Sequence, residues 1–256
     1  MAAPPSSDAA PPGGKAPAAR PPAFAEKGAD PSVLVIAFTG FQSGLTMGAF
    51  DFFAATGLLG YSRVLLRDTS RTCYASGVPP LAEGYEALLE YLRGNIARLA
   101  PKKILCLGAS SGGFAALLYG HALGADYVHA FSPYSYLGRV HALKHKDEDS
   151  LARHDETLDR IDALPPEAHR LFDLQPILAQ DNGRTRRYYV HVCSNSRWDL
   201  MRARRLEKCP QVLVIGYPCE GHGVAATLAK NDLLGDLLKI ENQPELGRKL
   251  RERLQR

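Results

Sequence analysis

Lys103-Ile104-Leu105-Cys106-Leu107-Gly108-Ala109-Ser110-Ser111-Gly112-Gly113, continued by Phe114-Ala115-Ala116-Leu117-Leu118-Tyr119-Gly120, is the stretch that decides the fold. The apolar run at 103–107 reads as a buried strand, the glycine-rich segment as a tight turn, and the apolar continuation as a helix. Strand, turn and helix around G-x-S-x-G describe a nucleophile elbow with Ser110 at its apex. Such a serine must stand in a strained turn above the sheet. Side chains two residues to either side would collide with that turn, so Gly108 and Gly112 are required. The helix aims its N-terminal amides at the same point, so the Ser111 amide can donate to an oxyanion. The turn is not a P-loop, since no Gly-Lys-Ser/Thr follows, and it lacks the G-x-G-x-x-G dinucleotide fingerprint.

Outward from the elbow, apolar runs at 33–38, 64–68, 126–131, 188–194 and 212–217 read as further strands of the parallel, doubly covered kind. Segments 81–99, 113–123, 199–207 and 223–238 carry helical patterns between them. Alternation of strands and helices predicts an α/β fold with a mostly parallel, doubly wound sheet. The rhythm breaks at 137–187, where charge is dense and Pro165-Pro166 interrupts. That interval is expected to be a small helical cap inserted between two strands, over one end of the sheet.

A serine needs a base, and the base an orienting acid. The elbow predicts the chain order serine, acid, histidine. Asp199 follows the strand at 188–194, and His222, in Glu220-Gly221-His222-Gly223, follows the strand at 212–217. Both therefore fall at the carboxyl edge, above Ser110. Asp199 could also cap the helix that begins there. Glu220 and Asp68 are rival acids, Glu220 being expected to face solvent. His222 could also be an ordinary loop histidine.

Together GASSGG, the Asp199 loop and EGHGV resemble the α/β-hydrolase superfamily over about residues 33–240, and more narrowly small bacterial serine-hydrolase-like proteins. The resemblance implies that the Thr39-Gly40-Phe41 turn is an oxyanion loop, with the amide of Phe41 as second donor and Gln42 as the fallback. It also implies an eight-stranded sheet whose first strands this shorter chain lacks, unless the N-terminal tail supplies them. Asp68 matches the superfamily's structural loop after the second strand only loosely.

The 256 residues, 27.9 kDa, are long enough for one ordinary core, set here at 32–256. Residues 1–31 hold eight prolines and ten alanines and are expected to form a disordered tail. They lack the pattern of a signal peptide. No run of eighteen apolar residues exists, so no membrane span is expected. A net charge of +4 is too mild to argue for nucleic acid. The five cysteines are odd in number and share no CxxC spacing, which predicts reduced thiols and a cytoplasmic location. No metal or other cofactor is expected. Strand residues His129 and His191 are expected to be hydrogen-bonded in the interior. His141, His145, His154 and His169 are expected to be solvated, without metal-site spacing.

Seven arginines lie between 184 and 208. They read as a solvated helix face, or as attraction for an anionic substrate such as a phosphopantetheine thioester or acidic glycan. Tyr134, Tyr136 and Trp198 are candidates to line a substrate pocket, or simply to pack the cap. The expected activity is hydrolysis of a small-molecule ester or thioester by Ser110, Asp199 and His222. The alternatives are acyl transfer by the same residues and a non-catalytic binding protein on the same fold.

Overall fold

The computed structural model describes residues 21–41, 52–180 and 187–246. Its strands are β1 (Ala23–Glu26), β2 (Asp30–Thr39), β3 (Tyr61–Arg67), β4 (Gly77–Val78), β5 (Ala82–Glu83), β6 (Lys103–Ala109), β7 (Tyr127–Phe131), β8 (Arg187–Cys193) and β9 (Val212–Tyr217). Seven of them form one sheet in the order β1-β3-β2-β6-β7-β8-β9, parallel except for β1 against β3, while β4 and β5 make a separate hairpin.

Each central strand divides its side chains between two faces. Leu34, Ile36 and Phe38 enter one core with Leu88, Leu92, Phe114 and Ala203. Val33, Val35 and Ala37 enter the other with Val224, Leu228 and Leu237. Helices α2 (Tyr85–Leu99), α3 (Ser111–Leu123) and α8 (Arg197–Leu206) therefore cover one face. Helices α9 (Val224–Lys230) and α10 (Leu233–Leu238) cover the other, and a short α1 (Phe53–Gly57) precedes β3. Apolar side chains on both faces are what made these strands read as unbroken hydrophobic runs. The doubly wound α/β architecture is as expected.

The expected tail needs a correction. Within it, Ala23–Glu26 pairs with β3 from Ala23↔Leu66 to Glu26↔Arg63 and forms the sheet edge. Glu26 also accepts hydrogen bonds from Arg63 Nε and Nη2 at 2.9 and 2.7 Å. An edge strand needs backbone pairing and one flank, so four residues of AFAE suffice despite the surrounding composition. Residues 1–20 lie outside the described ones.

The interval after β7 contains α4 (Arg139–Lys144), α5 (Glu148–Arg153), α6 (Asp155–Asp162), a 3₁₀ turn (Pro166–Leu171) and α7 (Leu174–Leu178), the helical cap insertion. Arg202 fastens it to the sheet domain. Its side chain is 2% exposed and donates to Asp147 from Nε (2.9 Å) and Nη2 (2.8 Å), and to Asp149 at 3.0 Å. Arg205 donates to both carboxylate oxygens of Asp173 at 3.1 and 3.0 Å. The solvated-face reading of this arginine run therefore fails at Arg202 and Arg205, whose cations are drawn inward by carboxylates of the insertion. Arg184 and Arg186 lie outside the described residues.

His129 and His191 form a buried polar chain. Gln243 donates through Nε2 to Leu237 O and Lys239 O, so its Oε1 must accept from His129 Nε2–H (2.9 Å). His129 Nδ1 then accepts from His191 Nε2–H (3.0 Å), and His191 Nδ1 accepts from Tyr217 O–H (2.9 Å). One donor sense runs through β9, β8 and β7 to the C-terminal segment, and both tautomers follow from it.

Candidate active site

Ser110 stands between β6 and α3 with φ 55° and ψ −118°, a backbone that L-residues rarely adopt. Its amide donates to Phe131 O at 2.8 Å, tying the turn to β7. A Cβ on Gly108 would stand 2.1 Å from Gly112 O, and one on Gly112 would stand 2.0 Å from Phe38 O. Both glycines are therefore required by close backbone approach, in the manner the elbow predicts.

Asp199 lies in the first turn of α8 and is 2% exposed. The N-cap is Ser196, so Asp199 does not cap this helix. Its Oδ1 is 2.9 Å from His222 Nδ1, across 23 residues of chain. A carboxylate accepts only, so Nδ1 carries a proton, and the tautomer selected in the neutral ring is the one with its lone pair on Nε2. Arg202 Nη1 lies 3.7 Å from the same Oδ1, while Oδ2 is buried without a hydrogen bond among the described residues. The other two acids are set differently. Glu220 is exposed. Asp68 closes the turn after β3, accepting from the amides of Ser70 (3.1 Å) and Tyr74 (3.2 Å). Burial, opposed by those amides, pushes its carboxyl up to about 6.

Ser110 and His222 line one cavity of about 530 Å³, together with Gly40, Phe41, Tyr134 and Arg202. The insertion contributes Asp149, Arg153 and His154 to the same wall. Ser111 opens α3 and is fully buried, with its hydroxyl unbonded among the described residues. Phe41 lies on the lining beneath Arg71, whose guanidinium is 5.4 Å from the ring centre. Gln42 falls outside the described residues. Tyr134 lines the cavity under Arg202, 4.9 Å from the ring centre. Tyr136 is buried instead beside a smaller adjoining space, donating its hydroxyl to Asp147 Oδ2 at 2.8 Å. Trp198 is half-buried under Arg197, at 4.7 Å, and is not among the residues of the Ser110 cavity. Arg71 in the turn after β3, Arg153 and His154 at the end of α5, and Arg202 on α8 are not among the sequence candidates for the lining, because these segments meet only in three dimensions. Arg202 carried one local signal, its i,i+3 spacing from Asp199 on one helix.

A disulfide joins Cys193 at the end of β8 to Cys219 just past β9. The reduced-thiol reading is corrected for this pair, while Cys73, Cys106 and Cys209 are free and buried. The bond crosses neighbouring parallel strands, so no short spacing announces it. It also removes the support that cysteine usage lent to a cytoplasmic location. Among the described residues no helix is long and apolar enough to cross a membrane.

No protein-family model matches the chain, and no curated protein matches its sequence. Solved structures match its shape. The capsule O-acetyltransferase of Neisseria meningitidis serogroup A is similar with a TM-score of 0.62 and 14% identity, over 84% of this chain and 89% of that one. MGS-MChE2, an α/β-hydrolase enzyme from a lagoon-sediment metagenome, is similar at 0.53 and 14%, over 90% and 94%. A thermophilic esterase from Thermogutta terrifontis is similar at 0.51 and 16%, over 89% and 93%. The chain thus has the α/β-hydrolase fold, and its structural neighbours are hydrolases and an O-acetyltransferase.

Proposed function

We propose that this protein cleaves a small-molecule ester or thioester through an acyl-enzyme on Ser110. The observation that carries the reading is the 2.9 Å contact of His222 Nδ1 with buried Asp199, on the cavity that Ser110 also lines. In this scheme Ser110 Oγ attacks the acyl carbon while His222 Nε2 takes its proton. The carbonyl electron pair moves onto oxygen, which the amides of Ser111 and Phe41 receive. One such donor is worth about 3–4 kcal/mol in the transition state. The tetrahedral adduct collapses, His222 returns the proton to the departing alcohol or thiol, and the acyl group stays on Ser110. Water, deprotonated by His222, then releases the acid and restores the serine. Asp199 holds the imidazole tautomer and stabilises the imidazolium. No metal or cofactor enters these steps.

Acyl transfer is the second reading, favoured by the likeness to the capsule O-acetyltransferase, one structure of which is in complex with CoA. The steps are the same, with an alcohol replacing water in the second half. The test is fluorophosphonate labelling of the wild type, Ser110→Ala and His222→Ala. Labelling of the wild type alone supports an activated Ser110. Absence of label on folded wild type overturns it and leaves a binding protein on this fold. Product analysis with thioesters, with and without an alcohol acceptor, separates hydrolysis from transfer.

A further inference from the structure

We infer that the cap insertion holds a divalent-cation site made by His141, His145 and Asp173, of the kind that takes zinc. One ring nitrogen of each histidine and one carboxylate oxygen of Asp173 all lie within 4.8 Å of one another. The two histidines are four residues apart on and just past α4, where His145 N still donates to His141 O at 3.0 Å. That helical spacing stacks both imidazoles on one side, their ring centres 6.4 Å apart. Asp173 comes from the far end of the insertion as N-cap of α7 and stands 3.9 Å, Oδ2 to Nδ1, from His141.

The histidines themselves point to a ligand. His141 Nδ1 and His145 Nε2 are buried without a hydrogen bond among the described residues. Tyr136 packs against both rings but gives its hydroxyl to Asp147, so it satisfies neither nitrogen. Buried polar atoms are normally paired, and two converging orphans beside a carboxylate form three of the four corners of a zinc site. A water would complete it. Imidazole donors favour late first-row ions over magnesium or calcium.

Arg205 opposes the cation, since it donates to both Asp173 oxygens. A carboxylate has about four lone-pair positions, so it can keep Arg205 while accepting the metal. Arg205 also has Ser135 O and Oγ within 3.3 Å as alternative acceptors. The site would clamp the first helix of the insertion to its last. Because Asp149, Arg153 and His154 of this insertion line the Ser110 cavity, the clamp would stiffen the wall of that cavity. The site stands independently of the acyl-enzyme reading.

The test is calorimetric titration of the chelator-stripped, full-length protein with Zn²⁺, and with Co²⁺ read by its visible absorption. One equivalent is expected to bind with micromolar affinity, and Co²⁺ to give the intense bands of four-coordination. Binding should weaken at least tenfold in both His141→Ala and His145→Gln. It should be unchanged in His169→Asn, whose ring contacts Leu164 O elsewhere in the insertion. Circular dichroism checks that each variant is folded. Absence of binding to the wild type overturns the inference. So does zinc binding that survives both substitutions in folded protein, since the ion would then sit elsewhere.

Discussion

Arg202 grips Asp147 through two parallel hydrogen bonds, with the arginine side chain 2% exposed and the aspartate side chain fully buried. Burial drives the Asp147 carboxyl upward, but the guanidinium outweighs it and holds the group below the ordinary range. Burial likewise acts against the charge of Arg202, and Asp147 more than restores it. One residue sits three positions from Asp199 on α8 and the other caps α5, so the pair fastens the insertion beside the candidate acid.

Removing Arg202 leaves the Asp147 carboxylate buried without a cation, and removing Asp147 leaves the buried guanidinium with Asp149 as its remaining hydrogen-bonded carboxylate. Arg202→Ala or Asp147→Ala is expected to cost about 3–5 kcal/mol of stability, measured by urea unfolding. Substitution of both should cost less than the sum of the single changes, because neither charge is then stranded. Full additivity would mean that the two residues do not act as a pair.

At the candidate site, Asp199→Asn should leave the fold intact and lower kcat by about 10²–10⁴-fold on any ester that the wild type cleaves. An amide can present its NH₂ to His222 and favour the wrong tautomer. Equal turnover by wild type and variant would remove Asp199 from the mechanism.

Gly112→Ala tests the elbow itself. Its added carbon would meet Phe38 O at 2.0 Å, and that oxygen is sheet backbone that cannot turn aside. The variant is expected to lose more than about 3 kcal/mol or to be insoluble, as judged by thermal unfolding and soluble yield.

The chain through His191 and His129 predicts an acid limb of stability. Burial pushes His129 down to about 4 and His191 well below its usual value. Between about 4 and the ordinary 6.5 the unfolded chain binds protons that the folded chain refuses. The histidines' contribution is thus fully present above 6.5 and is lost as pH falls toward 4. Each protonating histidine adds a slope of about 1.4 kcal/mol per pH unit. His129→Gln, which can still donate to Gln243 and accept from His191, should flatten that slope in unfolding free energies measured from pH 4 to 7.

The disulfide closes a loop of chain that carries Asp199, with its second cysteine three residues before His222. The double substitution Cys193→Ala/Cys219→Ala is expected to lower stability by about 2–4 kcal/mol. Guanidinium unfolding measures the loss, and peptide mapping without reductant checks the bond in the wild type.

Five of the six strands legible in the sequence lie inside the sheet, and the sixth, the edge strand β9, is only partly buried but keeps an unbroken apolar run. β1 escaped because its contribution is backbone pairing at an edge, and AFAE between prolines shows no pattern. The elbow was legible because its demands are local: two glycines that nothing larger can replace, one serine, a strand before and a helix after. Asp199 and His222 could be placed at strand ends by chain order alone. The insertion was legible as an interruption, and its partners were not.

The sequence by itself determined the layered α/β architecture, the position of Ser110 at a strand–helix turn and the shortlist of partners for it, since these follow from periodicity and local sterics. Tertiary structure alone decided that His222 meets Asp199 rather than Asp68, and that Tyr134 lines the cavity while Trp198 does not. It also decided that Arg202 is buried against Asp147, and that Cys193 meets Cys219. Those outcomes depend on which loops the strand order brings together, and residues 23 to 55 positions apart become neighbours only when a sheet sets their distance.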